Sequence, residues 1–154
     1  MQKTLSFTLL LFICTGLFNR ASAQMIKDPT SWTYEVKKKA ANQYDLIFHL
    51  KLEDKWHIWS VKPGGDGYEI PPTFKFDKNA GLKLSGDVKE AGKPITEKMA
   101  GVDGPVTYLS GTVDYVQSIT ASGKVKITGS HEYQVCNDNI CLPPKTKKFE
   151  FEIK

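Results

Sequence analysis

Apolar side chains recur at every second position through much of this chain. Trp32, Tyr34 and Val36 alternate with polar neighbours, and so do Tyr44, Leu46, Phe48, Leu50 and Leu52. Phe74 and Phe76, Leu82 and Leu84, Val113 and Tyr115, Val125 and Ile127, and Tyr133 and Val135 repeat the pattern, and Phe149, Phe151 and Ile153 close it. A period of two places these residues on one side of an extended segment, so each run predicts a strand with one buried face. No window holds the 3.6-residue period of an amphipathic helix over three turns, so almost no helix is expected. Between the runs stand turn-forming clusters at Ala41-Asn42, Glu53-Asp54-Lys55, Asp77 to Gly81 and Ser122-Gly123. Two longer Gly- and Pro-rich stretches, Lys62 to Pro72 and Ala91 to Pro105, read as loops. Loops of that length in a compact domain often carry function.

The first residues break the pattern and read as an address. Lys3 supplies a positive start, Thr4 to Phe18 is a mostly apolar run of 15 residues, and Ala21-Ser22-Ala23 has the small-x-small form of a signal-peptidase site. The run is short for a membrane-spanning helix, which needs about 20 residues. Ile13 before Cys14 is a poor fit to a lipoprotein cleavage site, which wants a small residue there. Cleavage after Ala23 is therefore expected, with Gln24 as the new N-terminus, export and no span left behind. Removal of 1–23 leaves 24–154, which is 131 of the 154 residues. About eight strands in that length predict one all-β domain, a two-sheet sandwich of immunoglobulin-like type.

Charge and composition then exclude other classes. At 40% hydrophobic and 25% charged residues the chain is not disordered. Loss of Lys3 and Arg20 lowers the basic count from 21 to 19 against 17 acidic residues, a net charge of +2. That mild and scattered excess is no nucleic-acid footprint. Cys14 leaves with the leader, so two of the three cysteines remain, Cys136 and Cys141. Export places them where disulfides are chemically allowed.

The chemistry concentrates around this pair, in the run HEYQVCNDNICLPP from His131 to Pro144. Tyr133 and Val135 lead Cys136 to the end of a strand, Asn137-Asp138-Asn139 is turn chemistry, and Lys145 to Ile153 reads as a return strand. The cysteines then lie close together across a hairpin-like turn, where a disulfide is sterically allowed. Closing a ring of six residues stabilises a fold by only about 2 kcal/mol, against nearly 5 for a 100-residue loop. A short, accessible disulfide is also the kind more open to reduction. An inert local staple is one alternative. A soft metal site built on Cys136, Cys141 and His131 is another, although five residues of regular strand put His131 and Cys136 on opposite faces and no fourth ligand is evident. His49 and His57 lie in other strands. There is no GxSxG, no HExxH and no phosphate-binding loop after a strand, and Gly64-Gly65-Asp66-Gly67 reads as a turn.

Tyr133-Gln134-Val135-Cys136 followed by Cys141-Leu142-Pro143-Pro144 resembles the N-terminal periplasmic domain of the thiol–disulfide reductase DsbD. Asp54-Lys55-Trp56-His57-Ile58-Trp59 is similar to that family's aromatic strand, and Val106 to Gly111 to the strand after its cap loop. The resemblance covers 30–154. It implies an immunoglobulin-like sandwich, no cofactor beyond the cysteines, and a protein-disulfide reductase component. The implied role is to relay reducing equivalents between a membrane thiol reductase and thioredoxin-like partners, among them disulfide isomerases and thioredoxins of cytochrome c maturation. By motif position Cys141 forms the mixed disulfide and Cys136 resolves it. Trp56 and Trp59 are then candidates for the wall of the site, with core packing as the alternative. Lys93 to Gly104 is the candidate cap loop and Met99 its apolar shield. Two features depart from the family. Four residues separate the cysteines, against five in the best-known members. The sequence also stops at Lys154 with no membrane electron-transfer segment, so a stand-alone domain reduced by another protein is expected. The competing reading is a secreted binding module with an inert disulfide, docking through 62–72 and 91–105.

Overall fold

A computed structural model describes residues 28–154. The expected leader, with Lys3, Cys14 and the Ala23–Gln24 junction, lies outside the described residues. Eleven strands follow: β1 (Thr30–Lys38), β2 (Gln43–Leu52), β3 (His57–Gly64), β4 (Thr73–Phe76), β5 (Leu82–Ala91), β6 (Pro94–Lys98), β7 (Pro105–Ser110), β8 (Thr112–Ala121), β9 (Val125–Tyr133), β10 (Val135–Cys136) and β11 (Lys145–Ile153). The described residues contain no helix. The architecture is the all-β, immunoglobulin-like sandwich that the alternation predicts.

The strands form three antiparallel sheets, ordered β1-β2-β8-β5, β11-β9-β4 and β10-β3-β7-β6. The first two bury their apolar faces against each other. Leu46, Phe48 and Leu50 of β2 and Val113, Tyr115 and Ile119 of β8 meet Ile127 and Tyr133 of β9 and Phe149, Phe151 and Ile153 of β11. Phe48 is fully buried at the centre of this layer. Its ring lies edge-on to Phe74, Phe149 and Phe151 at centroid distances of 4.8, 4.9 and 5.2 Å. Edge-to-face packing of this kind suits aromatic quadrupoles and adds to simple burial.

The third sheet differs. Ile58 of β3 and Leu109 of β7 face the main core, whereas Trp59 and Val106 face a second, small cluster that contains Cys136. The chain enters this sheet through a switch. β9 ends at Tyr133 in the sheet of β11 and β4, and two residues later β10 pairs with β3, Val135 opposite Ile58 and Cys136 opposite His57.

Three expectations need correction. The strands number eleven rather than about eight, partly because the long run ending at Cys136 divides between two sheets. Ala91–Pro105 is not one loop: Pro94–Lys98 is a strand paired with β7. β6 lies at a sheet edge and carries a single half-buried apolar residue, Ile95, so it shows no alternation. Proline is tolerated as the first residue of such a strand. Leu84 is not in the core; it is 42% exposed on the edge strand β5. The ladder between β5 and β8 shifts register between Ser85 and Lys89, where Gly86 has φ +70°.

Candidate functional site

Cys136 and Cys141 form a disulfide with Cα atoms 4.0 Å apart. The hairpin holds them there. They face each other as an antiparallel bridge. On the strand side Leu142 N donates to Val135 O at 2.9 Å, and on the turn side Asn137 N donates to Ile140 O at 2.9 Å. The cysteines are thus a pair without mutual backbone hydrogen bonds between two bonded pairs, the register in which side chains approach most closely. Four intervening residues suffice because Asn137 closes the turn with its side chain: Asn139 N and Ile140 N both donate to Asn137 Oδ1, at 2.9 and 3.0 Å. Val135 and Leu142, immediately inside the cysteines, are both buried in the main core. Gln134, at the sheet switch, donates from Nε2 to Leu142 O at 3.1 Å.

The two cysteines differ in surroundings. Cys136 is 2% exposed, packed with Trp59 and Val106, whereas Cys141 is an exposed residue next to Ile140, which is itself 46% exposed. Both line a cleft of about 610 Å³ whose other walls come from β3, β6, β7 and the loops after β3 and β6. His57 and Trp59 project from β3, Tyr108 from β7, Glu97 and Lys98 from β6, Met99 and Val102 from the turn that follows, and Tyr68 and Glu69 from the loop after β3.

The wall is aromatic with acidic edges. The His57 ring lies 4.5 Å from that of Tyr108 and 5.3 Å from that of Trp59. Tyr108 Oη donates to Glu97 Oε1 at 2.9 Å. Burial, the nearby Glu97 and the charge of Asp138 all push the Tyr108 hydroxyl above its ordinary pKa. Burial likewise lowers that of His57, against the opposing pull of Asp138 and Glu97. Its Nε2 is buried and has no hydrogen-bond partner. Glu69 is buried and accepts a hydrogen bond from Gly67 N at 3.2 Å. A substituent on Gly65 (φ +73°) would overlap its carboxylate, so the tight loop needs that glycine.

The residues singled out in the sequence separate into two groups. Cys136, Cys141, Trp59 and Met99 come together at the cleft. Trp56 does not: it packs against the main core. Alternation gives the reason, since Trp56 and Ile58 take the core side while His57 and Trp59 take the cleft side. The candidate cap is shorter than Lys93–Gly104, because β6 claims Pro94–Lys98 and leaves 99–104 as the turn. His131, weighed as a soft ligand, sits in the aromatic core, 4.3 Å between ring centroids from Trp32, with Tyr34 Oη 3.0 Å from its Nε2. Burial first, and Lys147 second, push its pKa down to about 4. Among the described residues no three His, Cys, Asp or Glu side chains form a group able to hold a metal ion. The sequence alone does not single out His57, Tyr108, Glu97 or Glu69 as site residues. His57 was within reach, because it shares a face with Trp59 two residues on. Glu97 and Tyr108 meet only through the β6–β7 pairing, for which the sequence holds little signal.

Solved structures carry the same fold at low identity. The N-terminal periplasmic domain of ScsB from Proteus mirabilis superposes with a TM-score of 0.59 at 13% identity, over 82% of this chain and 47% of that one. The chain therefore spans about half the length of that domain. A chain of the complex between the DsbD N-terminal and PilB N-terminal domains from Neisseria meningitidis superposes with a TM-score of 0.51 at 15% identity, over 82% of this chain and 87% of that one. No curated protein matches the chain in sequence. The family described as "Thiol:disulfide interchange protein DsbD, N-terminal" matches residues 22–153, so nearly the whole chain is accounted for, the cysteine hairpin included. The chain belongs to the DsbD N-terminal family of thiol–disulfide interchange domains.

Proposed function

We propose that the protein relays reducing equivalents in the periplasm through Cys136 and Cys141, exchanging them with thioredoxin-like partners and receiving them from a membrane thiol reductase. The observation that carries this reading is the asymmetry of the disulfide: one exposed cysteine, one buried, both lining an aromatic cleft. In the reduced pair Cys141 attacks a partner disulfide as the thiolate and forms a mixed disulfide. Cys136 then attacks Cys141 Sγ and releases the reduced partner. Met99 and the turn 99–104 shield the pair, and Trp59 backs Cys136. The expected leader and membership of a family named for a periplasmic-type thiol–disulfide interchange protein support a periplasmic location. A DsbD N-terminal domain in complex with a PilB domain supports a protein partner of this kind.

Two measurements test the relay. Equilibration with a dithiol buffer should give a reduction potential above about −300 mV, since structural disulfides fall below that value. In Cys136→Ser, the remaining Cys141 should trap a thioredoxin-like partner as a stable mixed disulfide. Trapping by Cys141→Ser alone would reverse the two roles.

A further inference from the structure

We propose that His57 is the proton acceptor of the thiol pair in the step that closes the disulfide. The inference rests on the relay reading above and adds a residue to it. His57 stands directly opposite Cys136 in the β3–β10 ladder. Residues in that relation place their Cβ atoms about 4.5–5.5 Å apart on one face of the sheet. Both side chains line the cleft, together with Trp59 and Tyr108, while their neighbours Ile58 and Val135 turn to the main core.

Three further observations converge on the imidazole. First, Nε2 is buried without a hydrogen-bond partner, although most buried polar atoms have one. A ring held by packing against Trp59 and Tyr108 thus keeps an unused nitrogen. Second, the charged groups lining the cleft are Glu69 from the loop after β3, Glu97 and Lys98 from β6, and Asp138 from the hairpin; β7 contributes the Tyr108 hydroxyl. Three carboxylates against one ammonium do not help a second anion to form there. Of the usual devices that activate a cysteine, no helix N-terminus is present among the described residues, and the lining of the cleft offers the single cation Lys98. Third, burial lowers the imidazole's pKa and so favours the neutral form that can take a proton, against the opposite pull of Asp138 and Glu97.

The step balances within the complex. Cys136 Sγ–H gives its proton to His57 as Sγ attacks Cys141 Sγ. The Cys136–Cys141 bond forms, and the bond from Cys141 to the partner sulfur breaks. The partner sulfur leaves as a thiolate carrying the electron pair, and the imidazolium returns the proton to it. The cysteine pair is oxidised and the partner reduced, with no other reactant.

The test mixes reduced protein with oxidised glutathione and follows, by acid quench and mass spectrometry, the species carrying one bound glutathione. In His57→Gln and His57→Phe the first step should stay within about twofold of the parent, while resolution slows about 10²-fold, the usual worth of a positioned base. The glutathione adduct then accumulates. The parent's resolution rate should fall on acidification with an inflection below the ordinary imidazole value of 6.5, and both variants should lose it. Resolution at the parent's rate and with its pH profile in both variants would overturn the proposal. So would an equal slowing of both steps, which would mark His57 as a residue that only shapes the cleft. A parent protein that forms no adduct and no disulfide with glutathione would overturn the relay reading itself, and this inference with it.

Discussion

Asp28 shows how one residue's charge is used by the fold. Burial opposes its ionisation, but Thr30 Oγ1 donates to it at 2.8 Å, Tyr133 Oη donates at 3.0 Å, and the ammonium groups of Lys147 and Lys145 stand 3.4 Å away. The favourable contacts prevail and lower its pKa below the ordinary 3.8. A carboxylate whose folded pKa is depressed stabilises the fold above its unfolded pKa, and this stability is lost as pH falls through the folded value. Acid titration of unfolding should therefore show Asp28→Asn losing less stability than the parent below about pH 4, after starting about 1 kcal/mol lower at neutral pH. Parallel curves would mean that Asp28 contributes nothing through its charge. Neither this cluster nor the cleft could be read in full from the sequence. Tyr133 alternates plainly with Val135, yet nothing local says that its hydroxyl meets a residue 105 positions away. Trp56 and Trp59 look alike in composition, and only their opposite parity separates a core residue from a cleft residue.

Among the elements, the cysteine hairpin was the most legible. Alternation up to Val135, turn residues at 137–139 and a return strand from Lys145 locate it, because each signal is local. β6 was illegible for the opposite reason: an exposed edge strand needs few buried residues, and its pairing partner is set by the sheet. The hairpin's dependence on Asn137 is testable. Asn137→Ala removes the acceptor of two backbone donors and should loosen the turn by about 1 kcal/mol. The thiols are then less well held for closure, so the reduction potential should rise by about 20 mV. An unchanged potential would show that the flanking backbone bonds alone set the geometry.

For the molecule as a whole, stability rests on the layer between β1-β2-β8-β5 and β11-β9-β4. Phe48 is its centre, in ring contact with Phe74, Phe76, Phe149 and Phe151. Phe48→Ala should cost about 3–5 kcal/mol in urea unfolding, the range for deleting a buried aromatic ring. A loss below about 1 kcal/mol would show that the neighbouring rings close over the gap. This layer was legible because period-two burial is strongest in strands with one buried face. The third sheet was less so, because its strands divide their residues between the main core and the cleft. That division has a consequence for how partners tell the two redox forms apart. The hairpin stands on Val135 and Leu142, both held in the main core and joined by a backbone bond. Cutting the bond between the sulfurs leaves those two footings in place. Oxidised and reduced protein are therefore expected to present nearly the same outline, so that a partner in the proposed relay would distinguish them by the reactivity of a sulfur rather than by a change of shape.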